Sequence, residues 1–127
     1  MWSIRAKAAA LKTPGFWTID MILGRTANGL YWMHRYIERA ENMARLIDAG
    51  MRMALTRTAG SPDEWSSVVL SAAAQSSYES AHDGYTAERV VHFLLCDPNN
   101  PSSVMSSITA ARQNARMVRT ALTRDAW

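Results

Sequence analysis

Arg35, Glu38, Arg39, Glu41, Arg45 and Asp48 crowd into one stretch, NGLYWMHRYIERAENMARLIDAG (28–50), and Arg112, Arg116 and Arg119 recur at spacings of four and three near the other end of the chain. Guanidinium groups suit two-pronged contact with a carboxylate or phosphate, and acids beside them either neutralise the arginines or shape a binding site. The set admits three readings: ion pairs across a helix seam, a semi-buried cluster that receives a partner or a charged substrate group, or a solvated face. Which one holds depends on the elements that carry the charges.

Leu30, Met33, Ile37, Ala40, Ala44, Ile47, Met51 and Leu55 recur at spacings of three and four, which predicts a long amphipathic helix beginning near Thr26 or Asn28 and ending near Thr56. With Glu38 at zero and 100° per residue, Glu41 falls at about 300°, Arg45 at about 340° and Asp48 at about 280°, against an apolar arc centred at about 220°. The acids therefore flank the apolar face. On the last helix Arg112, Arg116 and Arg119 lie within about 60° of one another, beside the stripe of Ile108, Ala115 and Leu122. Two flanking stripes of opposite sign predict that Glu38, Glu41 and Asp48 meet Arg112, Arg116 and Arg119 across the seam, with Glu41 and Arg45 adding a pair one turn apart. On that reading Glu41→Ala costs more stability than Glu79→Ala, because Glu41 borders the core stripe and Glu79 stands at a weak helix end.

Between these helices, GSPDEW (60–65) opens a second one, with Ser61 as N-cap, Pro62 in the first turn and Glu64 closing a capping box. It is expected to fray between Ser76 and Ser80. Thr86 and Glu88 open a third helix that Asp97-Pro98 ends, and Asn100-Pro101 reads as N-cap and first position of the last, which runs toward Leu122. Trp32 and Trp65 are expected to pack between helices, and Cys96 to be a packed small side chain. No strand pattern is present. The expected fold is all-α, an antiparallel bundle of about four helices.

A chain of 127 residues supports one domain with a modest core, and 48% apolar with 20% charged residues is the balance of a folded domain. A single cysteine excludes an internal disulfide and a cysteine-rich metal site, which suits the cytoplasm. The apolar runs fall short of the roughly 20 residues that a membrane span needs. Of the net +3, residues 1–20 supply +2, from Arg5, Lys7 and Lys12 against Asp20, and no lysine follows Lys12. That shift marks 1–20 as a leader expected to be poorly ordered, with Met21 as an alternative start and 21–127 as the domain. The near-neutral remainder argues against nucleic acid as a partner, although the arginine stripe of the last helix keeps a nucleic-acid-binding module as an alternative.

His34 and Glu38 stand one turn apart with Glu41 close by, which raises a carboxylate metal-binding bundle. That chemistry needs Glu-x-x-His from two helices, and neither copy is present. There is no Gly-rich phosphate loop, Ser-His-Asp set or Cys-x-x-Cys motif. No catalytic residue, metal or cofactor is expected, and the chain alone is not read as an enzyme.

RTANGLYWMHRYIERAENMARL near the start and NPSSVMSSITAARQNARMVRTALTRDAW at the end together resemble the bacterial alpha-E family, a predicted helical domain of unknown function named for its Glu-Arg motif. The likeness rests on Arg25, Trp32, Arg35, Tyr36, Glu38, Arg39, Ala40, Glu41, Asn42 and Arg45 in the first block. In the second it rests on Asn100, Pro101, Ser102, Ser103, Ala111, Arg112, Asn114, Ala115, Arg116 and Arg119. The resemblance implies a genomic setting beside, or fusion to, circularly permuted ATP-grasp ligases and transglutaminase-like peptidases, and so an accessory role in ATP-dependent peptide synthesis or tagging. It also implies that the chain is the N-terminal part of a larger bundle, since members continue past Trp127 with further helices. Apolar surface left open in this way is expected to allow self-association.

Overall fold

The computed structural model of the chain describes residues 14–56 and 62–122. Five α-helices follow in order: α1 (Pro14–Thr56), α2 (Pro62–Ser71), α3 (Gln75–Glu79), α4 (Ala87–Leu95) and α5 (Val104–Met117), with a short 3-10 turn over Arg119–Ala121. No strand occurs among the described residues. The fold is an all-α bundle organised around α1, whose 43 residues give a rod about 65 Å long.

α1 begins earlier than its apolar periodicity suggests. Proline lacks an N–H and carries a helical φ, so it is favoured at the first position of a helix, and Pro14 opens α1 there. Of residues 1–20, read as a leader, 1–13 lie outside the described residues and 14–20 form the first turns of α1.

α5 and α2 each run back along α1. Gly29 in the first half of α1 faces Val118 just past the end of α5, while Val104 at the start of α5 joins Ala40 and Met43 in the core. A Cβ on Gly50 would stand 3.1 Å from Cζ3 of Trp65, so the missing side chain lets α2 approach α1 closely. The core is continuous from Ala40, Met43 and Ile47 of α1 through Trp65, Val68 and Val69 of α2 to Val90, Phe93 and Leu94 of α4.

α2 ends sooner than expected. Ala73 adopts φ +53°, the left-handed region, while its N–H donates to Leu70 O at 2.9 Å and the N–H of Ala74 donates to Val69 O at 3.2 Å. That pair of bonds is a Schellman closure with alanine in the position glycine usually takes. α3 then brings Tyr78 into the core, where its hydroxyl donates to Gly84 O at 3.0 Å. Its ring stacks on His82 and Tyr85 at 4.7 and 5.0 Å and meets Phe93 edge-on at 5.2 Å. This aromatic knot fixes the α3–α4 connection and gives His82 a packing role.

The α4 cap is as expected: Thr86 Oγ1 accepts from Arg89 N–H at 3.4 Å. The α5 cap is displaced by three residues, because Ser103 Oγ accepts from Ser106 N–H at 3.2 Å. Asn100 is spent elsewhere: buried, it donates from Nδ2 to Phe93 O at 3.1 Å and accepts at Oδ1 from Ser102 N–H at 3.0 Å. It thereby ties the end of α4 to the start of α5. The proposed Ser61 cap lies outside the described residues.

Candidate functional site

Of the charged residues singled out from sequence, the six from Arg35 to Asp48 lie on α1. Arg35 Nη1 pairs with Glu38 at 3.0 Å, Arg45 with Glu41 at 2.6 Å, and Arg52, absent from the expected set, with Asp48 at 2.9 Å. Each of these pairs lies within α1, and both partners are more than half exposed. Such pairs are worth about 0.3–0.5 kcal/mol apiece. Glu38, Glu41 and Asp48 thus take partners on their own helix, three or four residues away, where the helical repeat places them side by side.

Arg112 and Arg116 stand exposed on α5, while Arg119 falls in the 3-10 turn, so the arginine stripe does not continue as one helical face. Arg39 lies over the ring of Tyr36 at 5.8 Å. Trp32, expected between helices, is exposed and leans on Tyr31 and Tyr36 at 5.4 and 6.0 Å. Cys96 is also exposed instead of packed.

Glu41 and Arg112 nevertheless share one feature. They line a groove of about 780 Å³ between α1 and α5, whose walls are Met33, Ile37, Ala40 and Ala44 on one side and Val104, Ile108, Ala111 and Ala115 on the other. Small alanines spaced by four on both helices hollow its floor, and Ile37 and Ile108 remain 47% and 50% exposed at its edges. Sequence periodicity placed both isoleucines in the core. In the structure the core lies on the Ala40, Met43 and Ile47 side of α1, and the second apolar flank of the helix is left uncovered.

A smaller cleft of about 340 Å³ opens on the other flank, lined by Arg35, Glu38, Arg39 and Asn42, with Met43 and Leu46 below and Ser71 and Ala72, at and just past the end of α2, opposite. At 100° per residue its α1 lining centres about 175° from that of the groove. A third depression, about 570 Å³, lies among Met51, Leu55, Trp65, Val91 and Leu95, with Glu88 and His92 also in its lining. Among the described residues no group of three His, Cys, Asp or Glu side chains could hold a metal ion. No helix among them is long and apolar enough to cross a membrane.

Fold and geometry define an all-helical domain whose ion pairs and largest clefts are arranged along one long helix. Residues 22–127 match the Alpha-E family, described as a predicted alpha-helical domain with a conserved ER motif, and the chain belongs to that family. It is 35% identical to uncharacterized proteins of Mycobacterium bovis and Mycobacterium tuberculosis, over 89% of this chain and 14% of theirs. The chain therefore spans about one seventh of the length of the curated relatives it matches. No solved structure matches it.

Proposed function

We propose that the chain is a non-catalytic helical accessory domain that docks a helix of a partner protein in the groove between α1 and α5. The observation that carries this reading is the groove itself, apolar along its walls, with Ile37 and Ile108 half-exposed and opposite charges, Glu41 and Arg112, in its lining. Burying such a surface is favourable at about 25 cal/mol per Å² of apolar area. The charges set the orientation of the incoming helix. The partner we assign is a component of an ATP-grasp ligase and transglutaminase-like peptidase system for peptide synthesis or tagging, acting in the cytoplasm. The family resemblance supports that assignment.

Titration of the purified chain against the neighbouring ATP-grasp protein by calorimetry tests the reading. A micromolar complex that Ile108→Asp weakens by about 100-fold, the loss expected when a charge is driven into an apolar contact, is the predicted result. Absence of a complex, or equal affinity for the variant, contradicts it. If the chain instead forms a dimer that Ile108→Asp dissociates, the groove is a self-association surface.

A further inference from the structure

Three of the four arginines from 35 to 52 are matched one to one by acids on α1, and Arg39 is the exception. Among the described residues no acid pairs with it; its guanidinium carbon lies 5.8 Å from the Tyr36 ring centroid, a cation–π contact that leaves its N–H groups unused. Asn42, one turn further along the same flank, has a side-chain amide with no hydrogen-bond partner among the described residues. Both open into the 340 Å³ cleft, whose floor is the apolar pair Met43 and Leu46.

We infer that this cleft binds a carboxylate group carried on a short aliphatic stem, with Arg39 gripping the carboxylate, Asn42 donating to it, and Met43 and Leu46 receiving the stem. Three features select this chemistry. The volume is at the small end of ligand pockets, enough for one side chain or chain end and too little for a folded element. The lining carries Arg35 and Arg39 against Glu38, a net single positive charge that one carboxylate neutralises. Glu38 on the rim repels the second charge of a phosphate dianion. The site is independent of the α1/α5 groove, from which it is turned by half a helix circumference, so loss of one leaves the other testable.

Amide and guanidinium NMR signals of the 15N-labelled chain, followed for Asn42 Nδ2 and Arg39 Nε, test the assignment. The probes are acetyl-leucine, with only a terminal carboxylate, acetyl-glutamate amide, with only a side-chain carboxylate, and inorganic phosphate. The expected result is saturable shifts at both groups with a millimolar Kd for at least one carboxylate probe, and the tighter of the two identifies the source of the group. Phosphate should bind roughly tenfold more weakly, and Arg39→Lys, which keeps the charge without the fork, should lose roughly tenfold. Arg39→Gln abolishes the shifts, whereas Arg116→Gln on α5 leaves them intact. No saturable shift with either carboxylate, unchanged binding to the Arg39→Gln chain, or phosphate binding as tightly as both carboxylates would overturn the inference. Arg39 is exposed, and an unchanged circular dichroism melt of each variant separates lost binding from lost folding.

Discussion

Gly29 of α1 and Val118, just past the end of α5, occupy the same space that a side chain at position 29 would need: a Cβ there would overlap Val118 Cγ1. The closeness of α1 and α5 at this end of the groove thus depends on a residue with no side chain. Gly29→Ala should destabilise the fold by about 1–3 kcal/mol through overpacking. Gly24→Ala, on the same helix but with nothing within 4 Å of the added Cβ, should instead stabilise by about 0.5–1 kcal/mol. Chemical denaturation of the two variants checks the contrast, and a combined Gly29→Ala, Val118→Ala chain should recover part of the loss.

Ala73 holds a left-handed conformation that glycine adopts without steric cost. Ala73→Gly should therefore raise stability by about 0.5–1 kcal/mol while leaving the α2–α3 turn unchanged. A lower melting temperature for the variant would show that the turn is not closed in this way.

Tyr78 joins burial to a hydrogen bond in one side chain. Its pKa is raised chiefly by desolvation, as expected of a phenol held in the core. Tyr78→Phe removes the bond to Gly84 O and should cost about 0.5–1.5 kcal/mol, whereas Tyr78→Ala should cost about 3–5 kcal/mol by opening a cavity in the knot. Denaturant midpoints distinguish the two.

Glu79 accepts from Gln75 Nε2 at 2.9 Å and from Tyr85 Oη at 2.7 Å, tying α3 to the loop before α4. Among the described residues Glu41 pairs with its neighbour Arg45 alone. The structure therefore reverses the order expected from sequence: Glu79→Ala should lower the melting temperature more than Glu41→Ala. The hydrogen bonds, first from Gln75 and then from Tyr85, hold the Glu79 carboxyl below its ordinary pKa. Its contribution is thus fully present above the unfolded carboxylate pKa and is lost as pH falls through the lower folded value. The gap between wild type and Glu79→Ala should narrow below about pH 4.

The helical class and the Thr86 cap are legible in the sequence, because each follows from local periodicity or capping chemistry; the first and last long helices do pack together, but not through the ion pairs from which that contact is expected. The break after α2 is not, since Ala72, Ala73 and Ala74 carry the highest helix propensity and no glycine marks the turn. Ile37 and Ile108 have the right spacing for a core, yet periodicity identifies an apolar face without saying what covers it. Asn100 reads as a cap because its neighbour is proline; its actual role, bonding to a carbonyl seven residues earlier, is a tertiary fact. Glu38, Glu41 and Asp48 had partners available on two helices, and only coordinates distinguish the pairs within α1 from pairs across the seam.

The central claim, that the α1/α5 groove receives a partner helix, is tested most directly by hydrogen exchange on the chain with and without the partner proposed for it, an ATP-grasp ligase component. With the ATP-grasp protein of the proposed partner system as the added component, the account predicts new protection in the segments 33–44 and 104–115, with 75–95 unchanged. Protection confined to 75–95, or none anywhere under conditions where the complex is saturated, would contradict it.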